Sequence, residues 1–220
     1  RRLIRSKISK LQKELDAVKK VRVVQRGKRL RTKVPSFALI GYTNVGKSTL
    51  MNQLTQANVL VEDKLFATLD TTTRKYTLPN HQEIVLIDTV GFIRKLPHLL
   101  VAAFKSTLEE SLMADILLHI VDASSSQALR QAEATFEVLK ELKAEKRPMI
   151  TVLNKMDAVQ DSLIPTKLKV TYPKTVEISA IEKTGFDALL EKMIQEISKL
   201  RKSVLLKIPQ SDYALVSLLM

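Results

Sequence analysis

The stretch GYTNVGKSTL at residues 41–50 restricts the fold more than any other part of the sequence. It follows the apolar run FALI and contains two of the chain's five glycines, Gly41 and Gly46. Glycine lets another molecule approach the main chain closely, and a strand followed by Gly-x-x-x-x-Gly-Lys-Ser is typical of a phosphate-binding loop. The backbone N–H groups of such a loop, with the positive end of the next helix, face the phosphates. We therefore predict a strand, a phosphate loop and a helix, with Lys47 on the terminal phosphates and Ser48 as a ligand of Mg²⁺.

From Ser36 onward, strand patterns alternate with helix patterns. We predict strands at FALIG, RKYTL, EIVLID, DILLHIVDA, PMITVLNK and TVEISA, and helices at GKSTLMNQLTQ, LVAAFKSTLEESLMA, SQALRQAEATFEVLKELKAE and FDALLEKMIQEISKLRKS. PTKLKVTYP fits a short helix or a loop. RKYTL and EIVLID flank the turn residues Pro79 and Asn80, which favours an antiparallel hairpin. The alternation predicts an α/β fold with a mostly parallel sheet flanked by helices.

The segment LIDTVGF carries a second phosphate-site pattern, because Asp88 ends an apolar strand and Gly91 follows three residues later. The carboxylate is placed to hold Mg²⁺ through water, and the N–H of Gly91 is placed to meet a γ-phosphate. Asp-x-x-Gly is common by itself, but here it comes 41 residues after Lys47 and after a predicted hairpin. That order fits a nucleotide switch.

The segment TVLNKMDA indicates which base is read. Asp157 would accept hydrogen bonds from the N1–H and 2-amino groups of guanine, and adenine lacks both donors. Asn154 would tie this loop to the phosphate loop, and the stem of Lys155 would cover the base. The segment EISAIEKTG then offers backbone groups at Ser179–Ile181 for the guanine carbonyl. Four elements in this order predict a guanine-nucleotide site, whereas P-loop kinases lack the Asn-Lys-x-Asp loop.

A threonine that ligates Mg²⁺ and senses the γ-phosphate is expected within LFATLDTTTRK. We choose Thr68, because it leaves room for a short switch before the strand predicted at Arg74–Leu78, and Thr72 is the second choice. Some of the remaining threonines are expected to be strand-entry residues.

The predicted site residues fall into three groups. The residues predicted to take part in catalysis are Lys47, Thr68 and Gly91, and the predicted metal ligands are Ser48, Thr68 and Asp88. The residues predicted to line the nucleotide are Gly41, Tyr42, Thr43, Asn44, Val45, Gly46, Lys47, Ser48, Thr49, Phe66, Ala67, Thr68, Leu69, Asp70, Asp88, Thr89, Val90, Gly91, Asn154, Lys155, Met156, Asp157, Ser179, Ala180 and Ile181.

The positive charge is concentrated in the first 33 residues. The formal net charge is +13, and residues 1–33 contribute +12 through fourteen Lys or Arg and two acidic residues. Apolar residues recur there at helical spacing of coiled-coil type, at Ile4, Ile8, Leu11, Leu15 and Val18. Such an extension either binds a polyanion such as RNA or forms a solvated helix and linker, and its charge fits both.

We expect three regions in the chain. Residues 1–34 would form the basic helix and linker, residues 35–203 the nucleotide-binding domain, and residues 204–220 the start of a small C-terminal domain. The chain begins at Arg1 and ends in ALVSLLM, as a piece of a longer protein would.

Composition restricts the setting. The chain has no cysteine, which excludes disulfides and fits a reducing cytosol. No apolar run approaches the roughly 20 residues of a membrane span, and no signal-peptide pattern opens the chain. The three histidines fit no metal-site spacing, and we expect His119, inside an apolar strand, to be a satisfied structural residue.

Four segments together resemble the HflX family of translation-factor-class GTPases: GYTNVGKSTL, LFATLDTTTR, DTVGFIRKLPHLLVAAFKSTLEE and ADILLHIVDAS. The similarity runs over nearly the whole chain, from the basic helical segment to IPQSDYALVSLL. It implies a P-loop GTPase of Ras-like fold that is cytoplasmic, hydrolyses GTP with Mg²⁺ and binds the large ribosomal subunit (rRNA). It implies neither a DNA partner nor an oligomer. The family's N-terminal nucleotide-binding-like domain lies outside this sequence.

The resemblance also bears on catalysis, because Phe92 stands where Ras-like GTPases have a glutamine that orients the attacking water. We therefore expect slow hydrolysis by the chain alone. In related GTPases the residue at Asn44 helps to hold K⁺ beside the phosphates, although Asn44 would serve equally as an ordinary polar loop residue. The ribosome is a second candidate source of activation.

Two other functions stay open. One is a related GTPase that acts in ribosome assembly or tRNA modification. The other is a passive RNA-binding module that uses the nucleotide only for its structure.

Overall fold

The computed structural model describes residues 34–55, 72–89, 91–92, 114–172 and 174–200. Within these ranges the strands are β1 (Ser36–Gly41), β2 (Thr72–Thr77), β3 (Glu83–Asp88), β4 (Ile116–Asp122), β5 (Met149–Asn154) and β6 (Thr175–Glu177). The helices are α1 (Lys47–Thr55), α2 (Ala128–Glu141), α3 (Leu163–Thr171) and α4 (Phe186–Leu200), with a 3₁₀ turn at Met156–Ala158.

These strands form one sheet in the order β2-β3-β1-β4-β5-β6. The edge strand β2 is antiparallel to β3, and the other four pairings are parallel. The predicted α/β class and the predicted hairpin are therefore confirmed. Strand β2 alternates half-buried and exposed residues, as expected of an edge strand, whereas β1, β4 and β5 are buried along almost their whole length.

Helices cover both faces of the sheet. On one face Phe37 and Ile120 pack with Leu50 of α1 and Met193 of α4. On the other face two further clusters form, one around Leu117 and Leu139 and one around Val121, Ala132 and Leu168. No helix among the described residues is long and apolar enough to cross a membrane.

The parallel pairings bring the carboxyl ends of five strands to one edge of the sheet. The ends of β1, β3, β4 and β5 are Gly41, Asp88, Asp122 and Asn154, and Asp122 lies directly opposite Asn154 in the β4–β5 register. Strand β1 has β3 on one side and β4 on the other, so the chain changes direction across the sheet at β1. Ligands of open α/β sheets bind at such a point, beyond the carboxyl ends of the strands.

Several element boundaries differ from the prediction, including the end of β6, which lies at Glu177 rather than Ala180. Two others have a specific local cause. Strand β2 begins at Thr72 rather than Arg74, because Thr72 and Thr73 pair with Asp88 and Ile87. Helix α2 ends at Glu141 rather than near Glu145, because Lys143 adopts a left-handed conformation with φ of 55°.

The end of α2 is a Schellman motif. The N–H of Lys143 donates to Lys140 O (3.0 Å) and that of Ala144 donates to Leu139 O (2.8 Å). This motif commonly carries glycine at its left-handed position, so a lysine there gave no stop signal in the sequence.

The ambiguous segment PTKLKVTYP lies mostly in helix α3. Its proline, Pro165, is tolerated because it sits in the first turn, where the missing N–H leaves no helical hydrogen bond unmade. The Asp161 carboxylate accepts a hydrogen bond from the N–H of Leu163 at 2.9 Å and orders the start of that helix.

Three predicted segments lie outside the described residues. They are the basic helix, the helix LVAAFKSTLEESLMA apart from its last residue, and the C-terminal piece.

His119 corrects one sequence expectation, because it is fully buried and neither ring nitrogen has a hydrogen-bond partner among the described residues. Its ring instead makes edge contacts with Phe136 and Tyr172, at centroid distances of 5.1 and 5.7 Å. Aromatic packing therefore replaces the hydrogen bonds that a satisfied histidine would have. Burial lowers the pKa of His119 from 6.5 to about 3.

We predict that the His119→Leu variant is less sensitive to acid than the parent protein. Below pH 6.5 the unfolded chain binds a proton at His119 that the folded chain refuses until about pH 3. The free energy of unfolding should therefore fall by about 1.4 kcal/mol per pH unit in that window from this group alone. Urea denaturation from about pH 7 to about pH 5 measures the slope.

The matched control is His81→Asn, which removes an exposed histidine whose φ of 62° asparagine tolerates. It should keep the acid sensitivity of the parent. Equal slopes for His119→Leu and the parent would contradict the assignment.

Candidate nucleotide site

The phosphate loop joins β1 to α1 with unusual backbone geometry. Asn44 has φ of 61° and Gly46 has φ of 93°, which places both in the left-handed half of conformational space. A Cβ atom at Gly46 would lie 2.3 Å from Nδ2 of Asn154, so only glycine leaves room for that side chain. Helix α1 begins directly after Gly46, which directs its positive end at the loop.

Lys47 is held within this loop. Its Nζ donates hydrogen bonds to the carbonyl oxygens of Tyr42 (2.8 Å) and Gly41 (3.2 Å), and the residue is only 6% exposed. Burial lowers the pKa of Lys47 to about 8, and the negative charge of Asp88 opposes that shift. The side chain therefore remains mainly cationic at neutral pH and is anchored beside the loop.

Ser48 and Asp88 are brought together as a pair of hard oxygen donors. The hydroxyl of Ser48 donates a hydrogen bond to Oδ2 of Asp88 at 2.7 Å, and Asp88 is almost completely buried. A hydroxyl and a carboxylate at the mouth of a phosphate loop fit Mg²⁺, which prefers oxygen ligands and retains several waters.

The Asp-x-x-Gly segment is bonded onto the phosphate loop. Phe92 N–H donates to Gly41 O (3.0 Å), and Thr43 N–H donates to Phe92 O (2.9 Å). A Cβ at Gly91 would lie 2.8 Å from Cα of Thr43 and 3.0 Å from Nζ of Lys47, so a side chain there would crowd both. Gly91 therefore lies directly against Lys47, as a contact to a common phosphate requires.

Phe92 is buried in the core rather than placed in the site. Its ring belongs to the cluster of Ala38, Ile40 and Ile87 and is only 2% exposed. The sequence pattern indicates that Phe92 cannot orient water, but it does not show this packing role. The sequence does contain a signal for this packing role, because an aromatic residue that follows the end of a buried strand belongs to a hydrophobic core more often than to a binding site.

Asn154 joins three loops with one side chain. Its Nδ2 donates to Val45 O in the phosphate loop (2.8 Å), and its Oδ1 accepts from Ala180 N–H (2.9 Å). The predicted contact between Asn154 and the phosphate loop is therefore confirmed. The same side chain also fixes the loop at Ser179–Ile181. The sequence pattern does not predict this second contact.

The loop predicted to read the base, Asn154–Asp157, turns sharply after β5. Lys155 has φ of 63°, and Met156 N–H donates to Ile178 O at 3.2 Å. Asp157 follows on the 3₁₀ turn with an exposed side chain, so its carboxylate is accessible to a ligand. In the neighbouring loop, Ile181 is 68% exposed.

Residues 36–155 match the family model of the 50S ribosome-binding GTPases. The chain belongs to this family. Among its curated relatives, the GTPase HflX of Chlamydia pneumoniae is 51% identical over 213 residues, which cover 97% of this chain and 45% of the relative. The GTPase HflX of Escherichia coli K12 is 43% identical over 205 residues, with 90% and 48% covered. The resemblance to HflX GTPases is therefore confirmed, and the chain spans less than half the length of these relatives.

A solved structure supports the fold of this family member. A GTP-binding protein from the archaeon Sulfolobus solfataricus, in complex with GDP, is 32% identical with a TM-score of 0.61. The match covers 86% of this chain and 62% of that protein.

Part of the predicted site lies outside the described residues. Its members are Phe66, Ala67, Thr68, Leu69, Asp70 and Val90. Thr72, the second choice for the switch threonine, is a residue of β2 opposite Asp88. The choice of Thr68 remains a prediction.

One charged residue of the candidate site, Asp122, is not among the residues predicted from the sequence. The carboxylate of Asp122, at the end of β4, lies 2.7 Å from Nζ of Lys155. An acidic residue at the end of a strand next to β5 would indicate a partner for Lys155. That indication can be used only once β4 and β5 are known to be adjacent in the sheet.

We predict that Asn154→Asp strongly weakens both the fold and nucleotide binding in this GTPase family member. The carboxylate cannot donate to Val45 O and would place two acceptors against each other in a buried site. The free energy of unfolding should fall by about 1–3 kcal/mol, the effect of an unsatisfied buried polar group. Urea denaturation and calorimetric titration with GDP measure the two effects.

The control is Asn80→Asp in the β2–β3 turn, where Oδ1 accepts from Gln82 N–H and aspartate preserves that bond. It should match the parent in both measurements. Parent-like stability and affinity for Asn154→Asp would contradict the bridging role.

Proposed function

We propose that this chain is the GTP-binding and GTP-hydrolysing part of an HflX-type molecular switch. The observation that carries the proposal is the Asn154 side chain, which bonds to Val45 O and to Ala180 N–H. It joins a loop suited to phosphates to a loop suited to guanine, so both ends of one nucleotide would be bound together. The membership in the 50S ribosome-binding GTPase family and the GDP complex of the Sulfolobus solfataricus protein support the same proposal.

At the phosphate end, the chain's own groups bind and orient. Lys47 supplies a cation beside Gly91, and the loop between Gly41 and Lys47 supplies backbone N–H donors. Ser48 and Asp88 would hold Mg²⁺, which neutralises the charge of the β- and γ-phosphates when bound. Thr68 would complete this ligand set from the first switch.

At the base end, Asp157 would accept hydrogen bonds from guanine, and the stem of Lys155 would cover the ring. The exposed Asp157 carboxylate follows a loop that is fixed by Asn154 and by the bond from Met156 N–H to Ile178 O. ATP would leave the Asp157 carboxylate unpaired, which is the physical basis for its rejection.

Hydrolysis by the chain alone should be slow. Phe92 is packed in the core, so its side chain does not position a water at the γ-phosphate. We infer that the missing positioning and charge come from outside the chain, through K⁺ held with the help of the exposed Asn44 or through the large ribosomal subunit. A cytoplasmic location follows from a ribosomal partner.

The ribosomal proposal draws on the charge of residues 1–33 as well as on the family. That segment carries +12 of the net charge of +13, which suits a polyanionic partner such as rRNA. The three regions at 1–34, 35–203 and 204–220 would then be a contact segment, the GTPase domain and the start of a further domain.

We predict that GTP turnover by the parent protein rises when K⁺ replaces Na⁺ or when large ribosomal subunits are added. A group from outside the chain that stabilises the transition state should raise the rate by about 10²- to 10³-fold. The release of inorganic phosphate in the presence of Mg²⁺ measures the turnover rate. Lys47→Ala should abolish turnover under all conditions, and Phe92→Leu, which keeps an apolar group in the core, should stay within about threefold of the parent's basal rate.

If neither K⁺ nor large ribosomal subunits raise the GTP turnover of the parent, the proposal that activation comes from outside the chain is wrong. If the parent binds GTP and subunits without any turnover, the passive RNA-binding module is favoured. Stimulation by small subunits or by tRNA instead would favour the relatives that act in ribosome assembly or tRNA modification.

A further inference from the structure

The carboxylate of Asp122 is fully engaged at the edge of the candidate nucleotide site. Its Oδ2 lies 2.7 Å from Nζ of Lys155, and its Oδ1 accepts from Ser124 N–H (3.0 Å) and from the Ser124 hydroxyl (2.6 Å). The side chains of Asp122 and Lys155 are 14% and 27% exposed, so water screens this pair only weakly. Ser124 thus fixes the orientation of the carboxylate, and the carboxylate fixes the ammonium group.

The backbone brings these residues together for a structural reason. The β4–β5 ladder continues beyond Asp122 and Asn154, because Ala123 N–H donates to Asn154 O at 2.9 Å. At the next residue Lys155 adopts φ of 63°, a conformation that residues other than glycine rarely adopt. Its side chain then crosses from the end of β5 to the end of the adjacent β4, and Asp122 holds its tip there.

The pair differs from an ordinary surface ion pair. Lys169 and Glu177 also lie 2.7 Å apart, but their side chains are 48% and 35% exposed and both backbones belong to regular elements. A flexible lysine stem at the base-reading loop would lose much conformational entropy on closing over a nucleotide. A lysine stem whose tip is already held before binding loses less conformational entropy, and the entropy saved strengthens nucleotide binding.

We propose that Asp122 is a positioning residue of the nucleotide site, which holds Lys155 in place over bound guanine nucleotide. The inference rests on the proposed function, because it assigns Lys155 to the base. It adds Asp122 of β4, which lies outside the phosphate loop, the Asp-x-x-Gly and Asn-Lys-x-Asp segments and the loop at Ser179–Ile181, to the determinants of nucleotide affinity.

The decisive variant is Asp122→Asn. Both oxygens of Asp122 accept hydrogen bonds, one from Ser124 and one from Lys155, whereas an amide has one acceptor and one donor end. The variant therefore has to lose one of the two contacts. We expect the Kd for GDP to rise by about 3- to 10-fold, the affinity equivalent of ordering one long, rotamer-rich side chain on binding.

A double-mutant cycle with Lys155→Met separates positioning from a general structural effect. Methionine keeps the apolar stem but lacks the ammonium group. In the Lys155→Met background, Asp122→Asn should therefore raise the Kd for GDP by less than about twofold. Pyrophosphate, which lacks the base, should compete equally well for the parent and for Asp122→Asn. Glu177→Gln, which removes the comparable surface pair, should leave GDP affinity unchanged.

Calorimetric titration of the 220-residue protein with GDP, with pyrophosphate as competitor, gives these values. An unchanged Kd for Asp122→Asn, an equal further loss in the Lys155→Met background, or an equal loss of pyrophosphate binding would overturn the inference. Should Asp122→Asn not fold, Ser124→Ala removes only the hydroxyl bond to Oδ1. It should give a smaller loss of GDP affinity that also vanishes in the Lys155→Met background. A parent that fails to bind GDP overturns the proposed function instead.

Discussion

The buried side-chain amide of Asn154 is the interaction on which the candidate site depends. An amide has a donor end and an acceptor end, and here each end is used by a different loop, at 2.8 Å to Val45 O and 2.9 Å to Ala180 N–H. Aspartate lacks the donor, and a larger side chain would collide with the tightly packed Gly46. Strand order places β5, which carries Asn154, two strands away from β1, so this single residue connects the predicted phosphate end of the site to its predicted base end.

The two lysines of the candidate site are each held by contacts within the protein. Lys47 is bonded to two carbonyl oxygens of its own loop and feels the charge of Asp88, which partly offsets the effect of burial on its pKa. Lys155 is bonded to Asp122 across β4 and β5. A side chain that is oriented before the ligand arrives loses little entropy on binding, so these contacts would preorganise both ends of the proposed nucleotide site.

Local patterns predicted much of this architecture, and features that depend on tertiary contacts escaped them. The strands, the hairpin and the phosphate loop followed from apolar runs and glycine spacing. The end of α2 did not, because Lys143 takes a position where glycine is the usual signal. The packing of His119 and Phe92, and the pairing of Asp122 with Lys155, depend on which strands lie side by side, and that order is not written in any single segment.

The most direct test of the account is a calorimetric comparison of GDP, ADP and xanthosine diphosphate binding to the parent protein and to Asp157→Asn. The parent should bind GDP at least about 10³-fold more tightly than ADP, because adenine leaves the Asp157 carboxylate unpaired. The variant should instead prefer xanthosine diphosphate, since its amide can donate to the oxygen that replaces the 2-amino group of guanine. Equal affinity of the parent for GDP and ADP, or an unchanged preference for GDP in the variant, would contradict the account.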